Sequence, residues 1–351
     1  MKVLMTADSV GGVWTYALEL GGALGRRGVQ VTLATMGGRL RADQERELRG
    51  AGIGRVHVGE FALEWMDEPW EDVDRAGDWL LRIADDVEPD VVHLNGYSHA
   101  CLPWPAPVVV AGHSDVLSWH EAVRGAAAGP EWDRYRDAVG VGLAAADLLA
   151  APTRALLRAL VRLHEPRCPT RVIPNGLDRR PPVRPKEPLV LGAGRLWDEA
   201  KNAASLVRVA PRLPWPVALA GDGEVGDGVR ALGRLDREQM DDAFARAAIF
   251  AAPARYEPFG LAVLEAARGG CALVLGDIPS LREVWRDAAI YVRPDDHAAL
   301  ERQLGRLIED DELRADYAHR ALARSEVFTA GRMADAHLDA YRAVTRRRAA
   351  A

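Results

Sequence analysis

Glu257 and Glu265 stand eight residues apart in the segment Glu257-Pro258-Phe259-Gly260-Leu261-Ala262-Val263-Leu264-Glu265. The residues between them decide what each can do. Pro258 and Gly260 stop a helix from running through Glu257, which leaves its side chain on a loop, while Glu265 falls on the second turn of a helix that begins near Gly260. A loop carboxylate beside the exposed amides of Phe259, Gly260 and Leu261 can face a sugar phosphate. A glutamate one turn deeper can accept hydrogen bonds from ribose hydroxyls. The spacing fits a helix cap and a surface glutamate as well.

Upstream, Leu191-Gly192-Ala193-Gly194-Arg195-Leu196 follows a strand, and six residues beyond Arg195 comes Lys201. A strand-end arginine and a helix-start lysine can converge on one diphosphate and neutralise the charge that grows on a leaving nucleotide; two ordinary surface cations would have the same spacing. Position 197 is Trp rather than Gly, which argues against a nicotinamide fingerprint. Near the N-terminus, Gly11-Gly12 lies between a first strand and a helix, where the backbone can approach an anion or simply turn. His113, in Gly112-His113-Ser114-Asp115, ends a predicted strand beside a glycine and is read as functional. His93, in a similar position, is read as structural. His120-Glu121 lacks the second histidine of a zinc-binding helix, and Asp72-Val73-Asp74 lies in a charged helical stretch, so both are read as solvated faces. Cys101, Cys168 and Cys271 share no metal-ligand spacing and are read as free thiols, with no metal site expected.

These residues need strand ends to hold them. Strand-length apolar runs, Lys2–Thr6, Val29–Ala34, Val91–Leu94, Val108–Ala111, Leu148–Ala151 and Thr170–Ile173, alternate with longer helical stretches. That grammar predicts a parallel sheet covered on both faces. It breaks at Pro181-Pro182-Val183-Arg184-Pro185-Lys186-Glu187-Pro188, four prolines in eight residues, which should form neither helix nor central strand. It then restarts with Leu189–Ala193, Val217–Ala220, Ile249–Ala252, Ala272–Leu275 and Ala289–Val292. The fold class expected is therefore α/β with two Rossmann-like units, followed by a last helix, Met333 to Arg348, able to pack back across either one.

Composition bounds the partners. The chain has 351 residues, 48% hydrophobic and 27% charged, with a formal charge of −6, which weighs against nucleic acid. No apolar run is long enough to cross a bilayer. The N-terminus reads as a strand rather than a secretory signal, so a cytoplasmic location is expected. Arg346, Arg347 and Arg348 leave peripheral contact with acidic lipid open, although a helix end also favours such charges.

Taken together, Gly11-Gly12, Gly112-His113, Ile173-Pro174-Asn175-Gly176-Leu177-Asp178, Gly194-Arg195-Leu196 with Lys201, Ala220-Gly221-Asp222-Gly223-Glu224 and Glu257 through Glu265 occur in an order that resembles the retaining glycosyltransferase family 4, of bacterial type. The resemblance spans nearly the whole chain. It implies the GT-B fold, two Rossmann-like domains facing across a cleft: an acceptor domain over 1–178, a linker over 179–188, a donor domain over 189–330 and a helix over 331–351 returning to the first domain. It implies that Arg195 and Lys201 hold the diphosphate of a nucleotide diphosphate sugar, that Glu265 binds the ribose and that Glu257 contacts the transferred sugar. The amides of Phe259, Gly260 and Leu261 would hold sugar hydroxyls and phosphate, Gly11-Gly12 would close on the phosphate, and His113 would approach the anomeric carbon. The base would lie near Gly233-Arg234-Leu235. The family generally needs no divalent cation or other cofactor and keeps the anomeric configuration. The chain departs from the family pattern at Asn202, where Gly often follows the lysine.

The expected activity is transfer of a hexose from a UDP- or GDP-sugar to a hydroxyl acceptor, which could be a sugar, glycan, lipid or small metabolite. Rival readings on the same scaffold are a disaccharide phosphorylase, a sugar-nucleotide epimerase and a non-catalytic nucleotide-sugar binding protein. Acceptor choice is expected from loops such as Phe61–Trp70 and Leu117–Trp132, whose tryptophans can stack on a sugar or pack inward.

Overall fold

The structure is a computed structural model that describes residues 1–350. It divides into two compact units. The first comprises Met1–Glu121, Ala126–Gly176 and the chain from Ala330 onward; the second comprises Ala122–Gly125 and Leu177–Thr329.

The first unit is built on strands β1 (Lys2–Asp8), β2 (Gln30–Met36), β3 (Arg55–Val58), β4 (Val91–Leu94), β5 (Val108–Ala111), β6 (Leu148–Ala151) and β7 (Thr170–Val172), in the order β3-β2-β1-β4-β5-β6-β7. Every neighbouring pair is parallel. Strands β4, β5 and β6 are buried along their whole length. Burial on both faces is why they read as unbroken apolar runs rather than alternating ones. Strand order reverses between β1 and β4, and in open parallel sheets the carboxyl ends at such a reversal are where ligands generally bind.

The second unit repeats the plan with β8 (Glu187–Ala193), β9 (Val217–Ala220), β10 (Arg230–Gly233), β11 (Ala247–Ala252), β12 (Ala272–Gly276) and β13 (Ile290–Val292), in the order β10-β9-β8-β11-β12-β13. The reversal falls between β8 and β11. The expected pair of Rossmann-like α/β units is what the chain forms.

Two strands escaped the sequence reading. Both β3 and β10 are edge strands with mostly exposed or half-exposed residues, so neither carries an apolar run. The proline-rich segment also needs correction, because β8 begins at Glu187 and includes Pro188 although it is a central strand. Pro188 sits ahead of Val190, where regular pairing with Val217 starts, and beside the register shift between Ala247 and Ile249 on β11. A proline at the first residues of a strand forfeits no interior ladder bond.

The last helix, Ala330–Ala350, belongs to the first unit. Its Ala334, Ala340 and Tyr341 are fully buried. Arg27 binds it through Asp335 at 2.6 Å and the Gly331 carbonyl at 2.9 Å. Arg348, read from the sequence as a charge at a helix end, donates to the Trp104 carbonyl at 3.1 Å. Among the described residues no helix is long and apolar enough to cross a membrane.

Candidate functional site

In the second unit the loops at the reversal point are tied into one cluster by backbone bonds. Gly194 donates to Ala220 at 3.0 Å and Leu196 to Asp222 at 2.9 Å, which lays the loop after β8 along the loop after β9. Gly221 donates to the Gly233 carbonyl at 2.8 Å, and Arg234 pairs with Asp222 at 3.0 Å, so the end of β10 joins them. Arg195 and the Gly233-Arg234-Leu235 segment therefore share one rim.

Asp198 organises the turn after Arg195. Its carboxylate caps the short turn Glu199–Lys201 by accepting from Ala200 N at 3.0 Å and receives Arg195 Nη2 at 2.8 Å. Burial works to raise this carboxyl, but the charge and hydrogen bond of Arg195, the Ala200 amide and Lys201 outweigh it and hold Asp198 below the usual carboxylate range. Arg195 Nε is buried and has no partner among the described residues. The turn is fastened to the loop after β11 by Arg255 N donating to Ala200 O at 2.8 Å. From there Lys201 Nζ reaches Glu257 Oε2 at 2.6 Å.

Asn202 explains the departure after the lysine. Its φ is 56°, a left-handed conformation that suits glycine and, next best, asparagine. Its amide donates to the Pro253 and Pro294 carbonyls, both at 2.8 Å, and its oxygen accepts from Ser205. The asparagine thus keeps the glycine-like turn and adds anchors that a glycine could not make.

Glu257 lies on the loop ahead of the helix Leu261–Arg268, as its neighbours require. Ser280 Oγ holds its carbonyl at 2.6 Å, and the buried ring of Phe259 packs edge-on against Phe328. Gly260 precedes the helix with φ 89°, and a Cβ there would come 3.0 Å from Val263. No side chain caps this helix, so its first-turn N–H groups and positive dipole end are not consumed by a capping oxygen. Glu265 stands on the second turn, half-buried. The structure thus joins Arg195 to Asp198 and Lys201 to Glu257; sequence reasoning missed Asp198, although an aspartate just ahead of a short turn is a capping signal.

In the first unit, Gly11 has φ 75° and opens the helix Gly12–Gly25, again without a side-chain cap. His113 lies two residues beyond the end of β5, half-buried on the following loop. Its Nε2 lies 2.8 Å from Asn95 Oδ1 and its ring meets Tyr16 edge-on at 4.3 Å. Burial, with His93 nearby, pushes His113 down to about 3. It is a neutral imidazole at physiological pH. His93 is fully buried behind it, as the structural reading expected, and burial lowers it to about 4 despite its bond to Asn95. Asn95 was missed; its one sequence signal is its place directly after β4.

Three side chains in the two segments read as solvated faces make structural contacts. Asp72 accepts from Ala62 N at 2.9 Å, and the His120 ring contacts Trp119 and Trp132. Glu121 is bound by Arg162 at 2.8 and 2.5 Å. Trp65, Trp70 and Trp132 are partly buried against the first unit's core, and the Arg134 guanidinium lies 4.8 Å over Trp70.

The family model described as Glycosyltransferase Family 4 matches residues 10–180, and that described as Glycosyl transferases group 1 matches residues 177–324. The chain is 30% identical to D-inositol 3-phosphate glycosyltransferase of Xylanimonas cellulosilytica, with 98% of this chain and 94% of that protein covered. Among solved structures it is similar to sucrose-phosphate synthase from Thermosynechococcus elongatus, with TM-score 0.81, 18% identity and coverage of 98% of this chain and 99% of that one. It is also similar to Anabaena HepE in complex with UDP and glucose, with TM-score 0.75, 19% identity and coverage of 97% and 99%. At such identities these two likenesses speak for the fold. The two family matches and the full-length relative, on a chain that forms two Rossmann-like units, show that the protein belongs to the family 4 glycosyltransferases of GT-B fold.

Proposed function

We propose that this glycosyltransferase moves a hexose from a UDP- or GDP-sugar to a hydroxyl acceptor, with retention of configuration and without a divalent cation. The observation that carries the reading is the Lys201–Glu257 pair at 2.6 Å, held beside Arg195 and ahead of an uncapped helix start. An ammonium has three donors. Lys201 can therefore orient Glu257 and still bind a phosphate oxygen, so a cation for the diphosphate and a carboxylate for the adjoining sugar are aligned by one contact. Arg195, fixed by Asp198 through one nitrogen, has others to offer the diphosphate. Glu265 is assigned to the ribose and the Gly233-Arg234-Leu235 segment to the base. In the first unit His113 is assigned to the sugar and the Gly11-Gly12 turn to phosphate. The complex of HepE with UDP and glucose agrees with a nucleotide-sugar donor.

In the reaction so proposed, the bond from the anomeric carbon to the leaving phosphate oxygen breaks while the acceptor oxygen bonds to the same face. The acceptor proton passes to a phosphate oxygen. Charge grows on the departing diphosphate, which Arg195, Lys201 and the helix start stabilise where it develops.

Arg195→Ala and Lys201→Ala are each expected to weaken nucleoside diphosphate binding about 10-fold or more, the loss of a charge-assisted bond, with much smaller changes for the monophosphate. Calorimetry with both ligands tests this; equal losses for the two remove the diphosphate role. Transfer is also expected to persist in excess chelator. Among the described residues no group of three His, Cys, Asp or Glu side chains could hold a metal ion, and the proposed cationic groups meet the phosphate charge themselves. Loss of transfer in chelator, restored by Mg²⁺ or Mn²⁺, would overturn metal independence.

A further inference from the structure

Behind His113 the first unit buries a polar aromatic cluster that sugar transfer as described does not use. It comprises His93 from β4, Tyr16 from the helix Gly12–Gly25, and His337 and Tyr341 from the last helix, all essentially inaccessible. Asn95 sits at its centre. Its amide nitrogen lies 2.6 Å from the Thr6 carbonyl, and its backbone N–H donates to Thr6 Oγ1 at 2.9 Å. A carbonyl oxygen only accepts, so the nitrogen of the Asn95 amide must face Thr6 and the oxygen must face the histidines. That oxygen lies 2.8 Å from His113 Nε2 and 3.2 Å from His93 Nε2. Both nitrogens face this acceptor and are assigned the protons; the Tyr16 hydroxyl, 3.4 Å from His93 Nε2, is closer to His337 Nε2 at 2.8 Å and donates there. The other nitrogen of His93, Nδ1, is then an acceptor, matched by the Tyr341 hydroxyl at 2.7 Å. The titratable groups facing His113 are His93, Tyr16 and His337, with no carboxylate among its contacts with the described residues.

We propose that Asn95 is a positioning residue that holds His113 as the Nε2–H tautomer, locked from the last helix through Tyr341 and His93. His113 Nδ1 is thereby left as an acceptor for a hydroxyl of the transferred sugar. This last step rests on the assignment of His113 to the sugar; the tautomer itself does not. The consequence is directional: His113 receives a hydrogen bond from an O–H group and cannot donate one to a ring oxygen or phosphate.

The test uses the whole chain labelled with ¹⁵N-histidine and long-range ¹H–¹⁵N correlation, with the His113 signals identified by their loss in His113→Gln. Without ligand at pH 7, Nε2 is expected protonated and Nδ1 bare. An Nδ1–H form or an averaged mixture overturns the proposal whatever the substrate. Asn95→Leu removes the acceptor; it is expected to give mixed tautomers and to lower kcat about 10-fold or more while the donor KM stays within about twofold. Asn95→Asp keeps an acceptor oxygen toward His113 but loses the donor to the Thr6 carbonyl; it is expected to retain Nε2–H, with the His113 titration raised where the new group is ionised and unmoved where it is the acid donating to Thr6. If Asn95→Leu fails to fold, Asn95→Asp decides: loss of the Nε2–H form overturns the contact. Unchanged kcat in a folded Asn95→Leu overturns the positioning role. A wild-type chain with the expected tautomer but no transfer from any nucleotide sugar defeats the functional reading and leaves the lock standing.

Discussion

Glu257→Gln is expected to lower sugar transfer at saturating donor by about 10²-fold or more, the size of effect seen when an oriented polar contact to a transition state is removed. Nucleoside diphosphate affinity should hold or rise. Glu257 is proposed to face the transferred sugar, so its contact strengthens as positive charge develops at the anomeric carbon, and an amide supplies no compensating charge. The same substitution releases Lys201 from its carboxylate partner at 2.6 Å, leaving the ammonium more available to phosphate. Glu265→Gln should do the reverse, because a ribose contact is equal in ground and transition states and affects affinity without affecting turnover. The comparison needs diphosphate affinity by calorimetry and turnover at saturating donor, for variants that melt like the parent. Full turnover in Glu257→Gln would end the paired-carboxylate argument. A fall in affinity as large as that of Lys201→Ala would make Glu257 a holder of the lysine rather than a sugar contact.

Acidification from pH 7 to pH 5 is expected to destabilise the first unit by about 2 kcal/mol through His93 alone. Burial lowers His93 to about 4 in the folded chain, against about 6.5 when unfolded. Between those values the unfolded state binds the proton and the folded state does not, so stability rises with pH. The full stability is present above pH 6.5 and is lost as pH falls toward 4. His337 acts in the same direction: burial, then the neighbouring His93 and His113, push it well below the ordinary histidine value. Both histidines contact the interface of the last helix with the sheet, so that helix should loosen first. Native-state hydrogen exchange of Ala330–Ala350 at the two pH values, corrected for intrinsic exchange, measures it. His93→Gln should flatten the dependence by about one proton. A helix equally protected at pH 5 and pH 7 would contradict the account.

Several site features were legible because they are local. Pro258 and Gly260 exclude a helix through Glu257 by backbone chemistry alone, and the structure has that residue on a loop and Glu265 on the second helical turn. The buried strands β4, β5, β6 and β9 carried their ends in the sequence, since a strand covered on both faces must be apolar throughout. The edge strands β3 and β10 carried no such mark. Pro188 misled for a related reason: a proline excludes an interior ladder position, yet whether a residue is interior depends on where the partner strands begin.

By itself the sequence determined which residue types stand at strand ends and helix starts, and with them the family and the α/β plan, because these depend on periodicity, backbone restriction and motif order within short stretches of chain. Only the tertiary structure decided which of those groups meet. Lys201 and Glu257 lie 56 residues apart, and Tyr341 reaches His93 across 248. Asn95 and Asp198 gained their roles in the same way. Such pairings are set by which strands become neighbours and how helices cover them, and that choice rests on burying apolar surface over the whole sheet. The polar contacts are consequences of that packing, and no local pattern records them.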